Sequence, residues 1–250
     1  MSGHSKWHSI KHKKGAADAK RGKVFTQHAK MIVLAAQQGG GDPEMNPSLR
    51  VAIDRAKMDN LPNINIDRAI KKGTGESKDG TIISEVAYEG YGPGGTAIYV
   101  QALTDNKNRT LANVRHAFTK NGGNLGATGC VAWMFQKKGL IVLNTEGLDL
   151  EEVEMAVIES GAEDMSADGA TIEVFTGYED LMEVKKTLEK AGMKVESADI
   201  AFIPKDTVKV EDASTAKKIL KVMDALEEDE DVSNVASNFD IPETILEELA

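Results

Sequence analysis

The chain has 250 residues, of which 41% are hydrophobic and 28% are charged, a composition typical of a globular protein with two or three domains. Its single cysteine, Cys130, excludes an internal disulfide and a cysteine-based zinc cluster, and the formal net charge is -10. The longest apolar run, residues 31–36, is far shorter than a membrane span, and the N-terminus lacks the apolar core of a secretory signal. We therefore expect a cytoplasmic protein without a membrane partner.

The first thirty residues, which we call the basic head, contain eight Lys or Arg and one acidic residue, Asp18. The basic head therefore carries a charge of +7, whereas the other 220 residues sum to -17. Its cations alternate with His, Gly and one aromatic residue, Trp7, and such a segment binds phosphates while the indole stacks on a base. We predict a contact with nucleic acid; a solvated terminus without a partner is the alternative. The predicted contact residues are Lys6, Trp7, Lys11, His12, Lys13, Lys14, Lys20, Arg21 and Lys23.

Three short helices are predicted next. The first spans residues 24–38 and ends at three glycines, the second has Asn46 as its N-cap and Pro47 at its first position, and the third runs from about residue 65 to 72. A polar, glycine-containing stretch follows. Residues 1–80, with fifteen basic and eight acidic groups, are predicted to form a basic segment and a small helical domain.

From about residue 82 onward, strands alternate with helices that each carry one apolar stripe, so the helices are expected to cover one side of a sheet. Residues 139–203 follow the order β-α-β-β-α-β, which is the ferredoxin-like order, with a turn at Asp168-Gly169 and a capping box from Thr176 to Glu179. Two β-α-β patterns flank this unit. The first comprises TAIYVQAL, a helix from about Lys107 and CVAWMF, and the second comprises TVKV, a helix around Ile219 and VSNVASNF.

The predicted fold class is therefore α+β with three domains. A helical domain at 1–80 precedes two ferredoxin-like-type α+β domains, of which one is inserted in the other: a split domain at 81–137 with 205–250, and an inserted domain at 138–204. A tandem arrangement of the two α+β domains is the alternative.

The helix after residue 106 has hydrogen-bond donors opposite its apolar stripe and leads into a glycine-rich loop, residues 121–129. We predict a second phosphate-facing surface there, and a solvated helix with a glycine cap is the alternative. The acidic run at 227–231 is predicted to be a solvated turn that repels nucleic acid. The predicted contact residues on this helix are Arg109, Asn113, His116 and Lys120.

No pattern typical of an enzyme is found. Residues 90–95 satisfy G-x-G-x-x-G, but Pro93 interrupts the pattern and a strand follows it, which favours a tight turn over a dinucleotide site. A P-loop, a zincin motif and a nucleophile elbow are all absent from the sequence. His4, His8 and His12 have helical spacing, but neighbouring cations and the lack of a carboxylate argue against a metal. We predict no catalytic residue, no metal, no cofactor and no small-molecule substrate.

Several motifs together make the chain resemble the YebC family over essentially all its residues. These motifs are GHSKW, IKHKKG, NPSLRVAIDRAK, NINIDRAIKKGTGE, YEGYGPGG, TDNKNRT and GGNLGATGCVAWMF. The family includes the mitochondrial translational activator of cytochrome oxidase, and the resemblance implies a helical domain followed by two α+β domains. It also implies one of two activities: binding DNA as a transcriptional regulator, or supporting peptide-bond formation on proline-rich sequences as a ribosome-associated factor.

Of these two activities, the residue types of the basic head favour the one on the ribosome. A head rich in Lys, His and Gly with one stacking aromatic side chain suits irregularly folded RNA. Duplex DNA is normally read by a helix that presents a row of Arg, Asn or Gln, and no such row is evident in the sequence. We expect a non-enzymatic, RNA-binding translation factor whose partner is ribosomal RNA; a DNA-binding transcriptional regulator is the alternative.

Overall fold

Three helices begin the structure, a computed structural model that describes residues 17–77, 82–168 and 171–249. They are α1 (Ala17–Gly39), α2 (Pro47–Met58) and α3 (Asn63–Gly73). Asn46 caps α2 as predicted, because its Oδ1 accepts the N–H of Leu49 at 3.1 Å. Its Nδ2 also donates to the carbonyls of Ala35 and Gly40, at 2.8 and 2.9 Å. One buried side chain therefore joins the end of α1 to the start of α2.

The prediction that the first helix starts at Val24 is wrong, because α1 already includes Ala17. Residues 17–23 are mostly Ala, Lys and Arg, which favour helix. The second half of the basic head is therefore helical. At the other end of this bundle, Gly73 lets α3 approach α1: an added Cβ would lie 2.6 Å from the carbonyl oxygen of Val33.

A four-stranded antiparallel sheet follows, in the order β3-β1-β2-β9. On one face of this sheet α4 and α7 bury Phe118, Ile219 and Met223, which are inaccessible to solvent. Leu103 packs from β2 against the three-helix bundle. The predicted glycine turn between strands is confirmed at Pro93–Gly95. The elements are β1 (Ser84–Tyr91), β2 (Ala97–Thr104), α4 (Lys107–Lys120), β3 (Asn124–Leu125), α7 (Ala213–Glu228), β9 (Val232–Ser237) and α8 (Glu243–Leu249).

The ferredoxin-like order is confirmed in a second four-stranded sheet, whose strands lie in the order β5-β6-β4-β7. Two helices cover one face and enclose a core that includes Ile141, Val174 and Leu188. The Asp168-Gly169 turn lies partly outside the described residues. The elements are β4 (Phe135–Asn144), α5 (Leu150–Glu159), β5 (Asp164–Asp168), β6 (Thr171–Gly177), α6 (Leu181–Lys190) and β7 (Lys194–Pro204). The observed fold is thus an N-terminal group of helices followed by two α+β units.

Three further predictions about local structure are wrong. CVAWMF is not a strand: Ala132–Met134 is a 3-10 turn and β4 begins only at Phe135. TVKV does not join the sheet of β2, because β8 (Val208–Lys209) pairs in parallel with β10 (Phe239–Asp240) in a separate two-stranded sheet. The capping box is absent as well, since Thr176 lies within β6 and its hydroxyl donates to the carbonyl of Gly177.

Strands of the first sheet both precede and follow the ferredoxin-like unit along the chain. β9 follows the ferredoxin-like unit in sequence but pairs with β2, which precedes that unit. A small shared core between the sheets contains Ala97, Val131 and Phe135. We propose on this basis that the chain divides into 1–80, a split domain at 81–137 with 205–250, and an insert at 138–204.

Candidate nucleic-acid interface

The structure describes only part of the predicted contact surface in the basic head. Lys20, Arg21 and Lys23 lie in the first two turns of α1, and Arg21 is exposed. The amino group of Lys23 donates a hydrogen bond to the carbonyl of Glu227, in the acidic run that we call the acidic turn, residues 227–231. The remaining predicted residues of the head lie outside the described part of the chain: Lys6, Trp7, Lys11, His12, Lys13 and Lys14.

Asp231, the last residue of the acidic turn, joins two helices from different parts of the fold. Its Oδ1 lies 2.6 Å from Nζ of Lys30 on α1, and its Oδ2 lies 2.7 Å from Nη2 of Arg109 on α4. The hydroxyl of Thr110 also donates to Oδ2, at 2.8 Å. The side chain of Asp231 is only 5% exposed. Burial would raise its pKa, but the hydrogen bonds from Lys30, Arg109 and Thr110 outweigh burial and lower the pKa to about 2.

Further contacts dock α1 on the same turn. Lys30 also donates to the carbonyl of Glu230 at 2.8 Å, and the side-chain amide of Gln27 donates to the carbonyl of Val232 at 2.5 Å. Together with Lys23, these residues form one face of α1 spaced by three or four positions, as helical geometry requires. Two cations of the basic head, Lys23 and Lys30, therefore contact the protein itself.

The four donor residues predicted on α4 fall into two groups. Two of them bind the acidic turn, and the other two are exposed. Arg109 binds Asp105 at 2.9 Å as well as Asp231, and Nδ2 of Asn113 donates to Oδ2 of Asp229 at 2.7 Å. His116 and Lys120, farther along the helix, are exposed. The four residues do share one face of α4, as the spacing predicts. Half of that face is directed at carboxylates, and the other half is open to solvent.

Because the two groups have different environments, we expect one single substitution to change stability and another to change RNA binding. Arg109→Ala removes a partner of a buried carboxylate and is expected to lower the free energy of unfolding by about 2 kcal/mol. Lys120→Ala removes an exposed cation and should leave unfolding unchanged while weakening RNA binding about two- to three-fold. Urea titration and fluorescence anisotropy measure the two effects. An Arg109→Ala protein of unchanged stability would show that the contacts with Asp231 contribute nothing to the fold.

Glu89 organises the glycine-rich loop from beneath. Its buried carboxylate accepts backbone N–H groups from Gly129 at 2.6 Å, Val131 at 2.8 Å and Ala132 at 2.7 Å. Burial would raise the pKa of Glu89, but these three hydrogen bonds outweigh it and lower the pKa below its usual value. The carboxylate of Glu89, on β1, therefore fixes the backbone where the glycine-rich loop ends and the next segment begins. Sequence analysis missed this role, although Glu89 lies within the YEGYGPGG motif.

Glu89→Gln should destabilise this loop in particular. The amide NH2 group would face a backbone N–H, so at least one buried donor loses its acceptor, at a cost of about 2 kcal/mol. We expect a lower urea midpoint and faster hydrogen exchange at the amides of Val131 and Ala132. Glu85→Gln, an exposed position on the same strand, is the matched control. Equal exchange rates in the wild type and in Glu89→Gln would contradict the assigned role.

Across 17–77, 82–168 and 171–249, no three His, Cys, Asp or Glu side chains are grouped closely enough to hold a metal ion. None of the helices in these ranges combines the length and apolar character needed to cross a membrane.

Comparison with known families covers nearly the entire chain. The TACO1/YebC protein N-terminal domain matches residues 5–76, and the TACO1/YebC second and third domain matches residues 83–239. The chain belongs to the TACO1/YebC family. The resemblance drawn from the sequence motifs is thereby confirmed.

Full-length relatives of this TACO1/YebC member are known in several bacteria. Proteins named "Probable transcriptional regulatory protein" from Halothermothrix orenii and Geotalea uraniireducens are 53% and 55% identical to this chain. The alignments cover 100% of this chain, and 99% and 100% of the two relatives. The crystal structure of a conserved hypothetical protein, Aq1575 from Aquifex aeolicus, is similar with a TM-score of 0.84 at 49% identity, over 94% of this chain and 96% of that one.

Proposed function

We propose that this protein is a non-enzymatic, nucleic-acid-binding regulator of gene expression that acts in the cytoplasm on the ribosome. In this proposal its ligand is ribosomal RNA, and its activity is to assist the synthesis of difficult, proline-rich sequences. The observation that carries the proposal is the separation of charge, +7 in the first thirty residues against -17 in the remainder. Such a distribution attracts a polyanion at one end of the chain and repels it elsewhere. The names of the bacterial relatives support the coarser part, a regulator.

The contacts of α4 favour RNA over duplex DNA. Reading base edges in the major groove requires a helix with free Arg, Asn or Gln side chains. On α4, however, Arg109 and Asn113 bind Asp231 and Asp229. Reading bases with Arg109 or Asn113 would therefore break a bond to a carboxylate of the acidic turn. Contacts through the basic head and the exposed end of α4 need only phosphates and unstacked bases, which folded RNA presents.

Two buried carboxylates with displaced pKa values do not support catalysis. Catalytic acids and bases commonly have displaced pKa values and point into an open site. Asp231 and Glu89 have displaced pKa values, yet each is buried and bonded to several donors of the protein itself. Their arrangement serves structure, which supports a binding role for the molecule.

Equilibrium binding to ribosomes and to duplex DNA tests the ligand. At about 150 mM salt we expect the full chain to bind ribosomes more tightly than random duplex. The logarithm of its affinity for RNA should fall with the logarithm of salt concentration by about 0.7 for each neutralised phosphate, so five contacts give a slope of about -3.5. Equal or tighter binding to duplex DNA would favour the alternative function, a DNA-binding transcriptional regulator, which the names of the relatives support.

A further inference from the structure

Two aromatic side chains beside the glycine-rich loop are held open to solvent by one carbonyl. Trp133 is 63% exposed and Tyr91 is 37% exposed. The indole N–H of Trp133 donates to the carbonyl of Cys130 at 3.2 Å, and the hydroxyl of Tyr91 donates to the same oxygen at 3.0 Å. A shared acceptor therefore brings the polar edges of both rings together.

The turn that carries Trp133 is rigid. The N–H groups of Val131 and Ala132, immediately before it, donate to the carboxylate of Glu89. Val131 is fully buried, and Phe135 packs with Tyr99 at a ring-centroid distance of 6.1 Å. The backbone is therefore anchored on both sides of Trp133, and the indole N–H is bonded to the carbonyl of Cys130. Tyr and Trp side chains that combine an apolar ring with a hydrogen-bonded polar edge are enriched at interfaces, so this exposed pair is a candidate contact surface.

The surroundings define the partner's chemistry. Lys120, exposed at the end of α4, immediately precedes the glycine-rich loop, and Gly122 and Gly129 have open space where a Cβ would lie, or contacts no closer than 3.8 Å. A nucleic-acid backbone can therefore approach the loop closely. Glu89, which lies under the end of this loop, is buried and bonded to three N–H groups, so it offers little repulsion to a phosphate. Flat apolar rings, a cation and a bare backbone are the features that bind unpaired nucleotides.

We propose that Trp133 and Tyr91 form a stacking platform for an unpaired nucleobase of the RNA ligand. This inference rests on the proposed function and adds a second contact to the basic head. Stacking on an aromatic ring tolerates any base, because every base has a π face. The platform therefore selects single-stranded over duplex regions and does not select a sequence.

Tryptophan fluorescence can test the platform directly, because the chain has only two tryptophans, Trp7 and Trp133. In a Trp7→Phe protein all indole emission comes from Trp133. We expect poly(U) to quench this emission strongly at saturation. Heparin, a polyanion without bases, should bind the cations but leave the emission nearly unchanged. Equal quenching by heparin and poly(U) would contradict stacking, and quenching by neither while anisotropy reports RNA binding would also overturn it.

Affinity measurements on variants that retain Trp7 distinguish binding by base stacking from binding by charge. Trp133→Ala should weaken binding to poly(U) about ten-fold and leave heparin binding unchanged, whereas Trp133→Phe should keep most of the affinity. Urea midpoints of both variants control for folding. If the wild type binds RNA and Trp133→Ala binds it equally well, the platform is wrong while the proposed function stands. If the wild type binds neither poly(U) nor ribosomes, both fail.

Discussion

Replacing Asp231 with asparagine is expected to lower the free energy of unfolding by about 3 kcal/mol. The change leaves Lys30, whose side chain is only 16% exposed, without its carboxylate partner, and it weakens two bonds from Arg109. The loss arises mainly from the Lys30 cation, which stays largely buried beside a neutral group. Urea denaturation measures it. Glu230→Gln is the matched control, because that side chain is exposed and only its carbonyl contacts Lys30.

Acidification should reduce the difference between the wild type and Asp231→Asn. The pKa of Asp231 falls from 3.8 to about 2 on folding, so its charge contributes about 2 kcal/mol that is fully present above pH 4 or so. This contribution is lost as the pH falls from about 4 towards 2. By pH 3 the gap between the two proteins should be about 1 kcal/mol smaller than at pH 6. A gap that is constant from pH 6 to pH 3 would mean that the folded protein does not lower this pKa.

Reversing three charges in the basic head should have the largest effect on binding. Lys11, Lys13 and Lys14 changed together to Glu are expected to lower the affinity for RNA at least about 100-fold at 150 mM salt and to reduce the salt slope by about 2. Phosphate contacts position the ligand without reading its bases, so every RNA sequence should be affected alike.

The matched control places the same charge change on the ferredoxin-like unit. Lys186, Lys190 and Lys194 are exposed on and after α6 and can be changed together to Glu. This control protein should bind RNA within about three-fold of the wild type. If both triple variants lose the same affinity, binding depends on net charge alone and the basic head has no special role. Retained binding in the head variant would contradict the interface directly.

Local signals in the sequence predicted most of the elements correctly. The Asn46-Pro47 pair specifies the start of α2 through a cap within four residues, and the ferredoxin-like order follows from the apolar stripes of α5 and α6. The strand predicted at CVAWMF does not form, because the backbone N–H groups of Val131 and Ala132 donate to the carboxylate of Glu89, some forty residues earlier in the chain. A strand-like pattern of residues does not show that the backbone N–H groups needed for strand pairing are already bound by a carboxylate far away in the sequence.

The candidate site was harder to predict for the same reason. Arg109 meets Asp231 across a sequence separation of 122 residues, and Lys30 meets it across 201. The sequence indicated donors on α4 and a cluster of acids after α7, but not that tertiary packing brings them together. One available signal was overlooked: complementary charges on two helices that share a sheet face. Lys23, on α1, contacts the acidic turn, so removing α1 residues of the basic head would also remove tertiary contacts. A deletion that tests binding without changing the fold should therefore end before Ala17.

Translation of a proline-rich message tests the central claim most directly. A reconstituted system would translate one message with consecutive proline codons and a matched message with alanine codons at those positions. We predict that the wild-type protein relieves stalling at the prolines, that the Lys11, Lys13 and Lys14 triple variant does not, and that the alanine message is unaffected by either. If proline-dependent stalling is unchanged by the wild-type protein, the translation function is wrong and the transcriptional alternative replaces it.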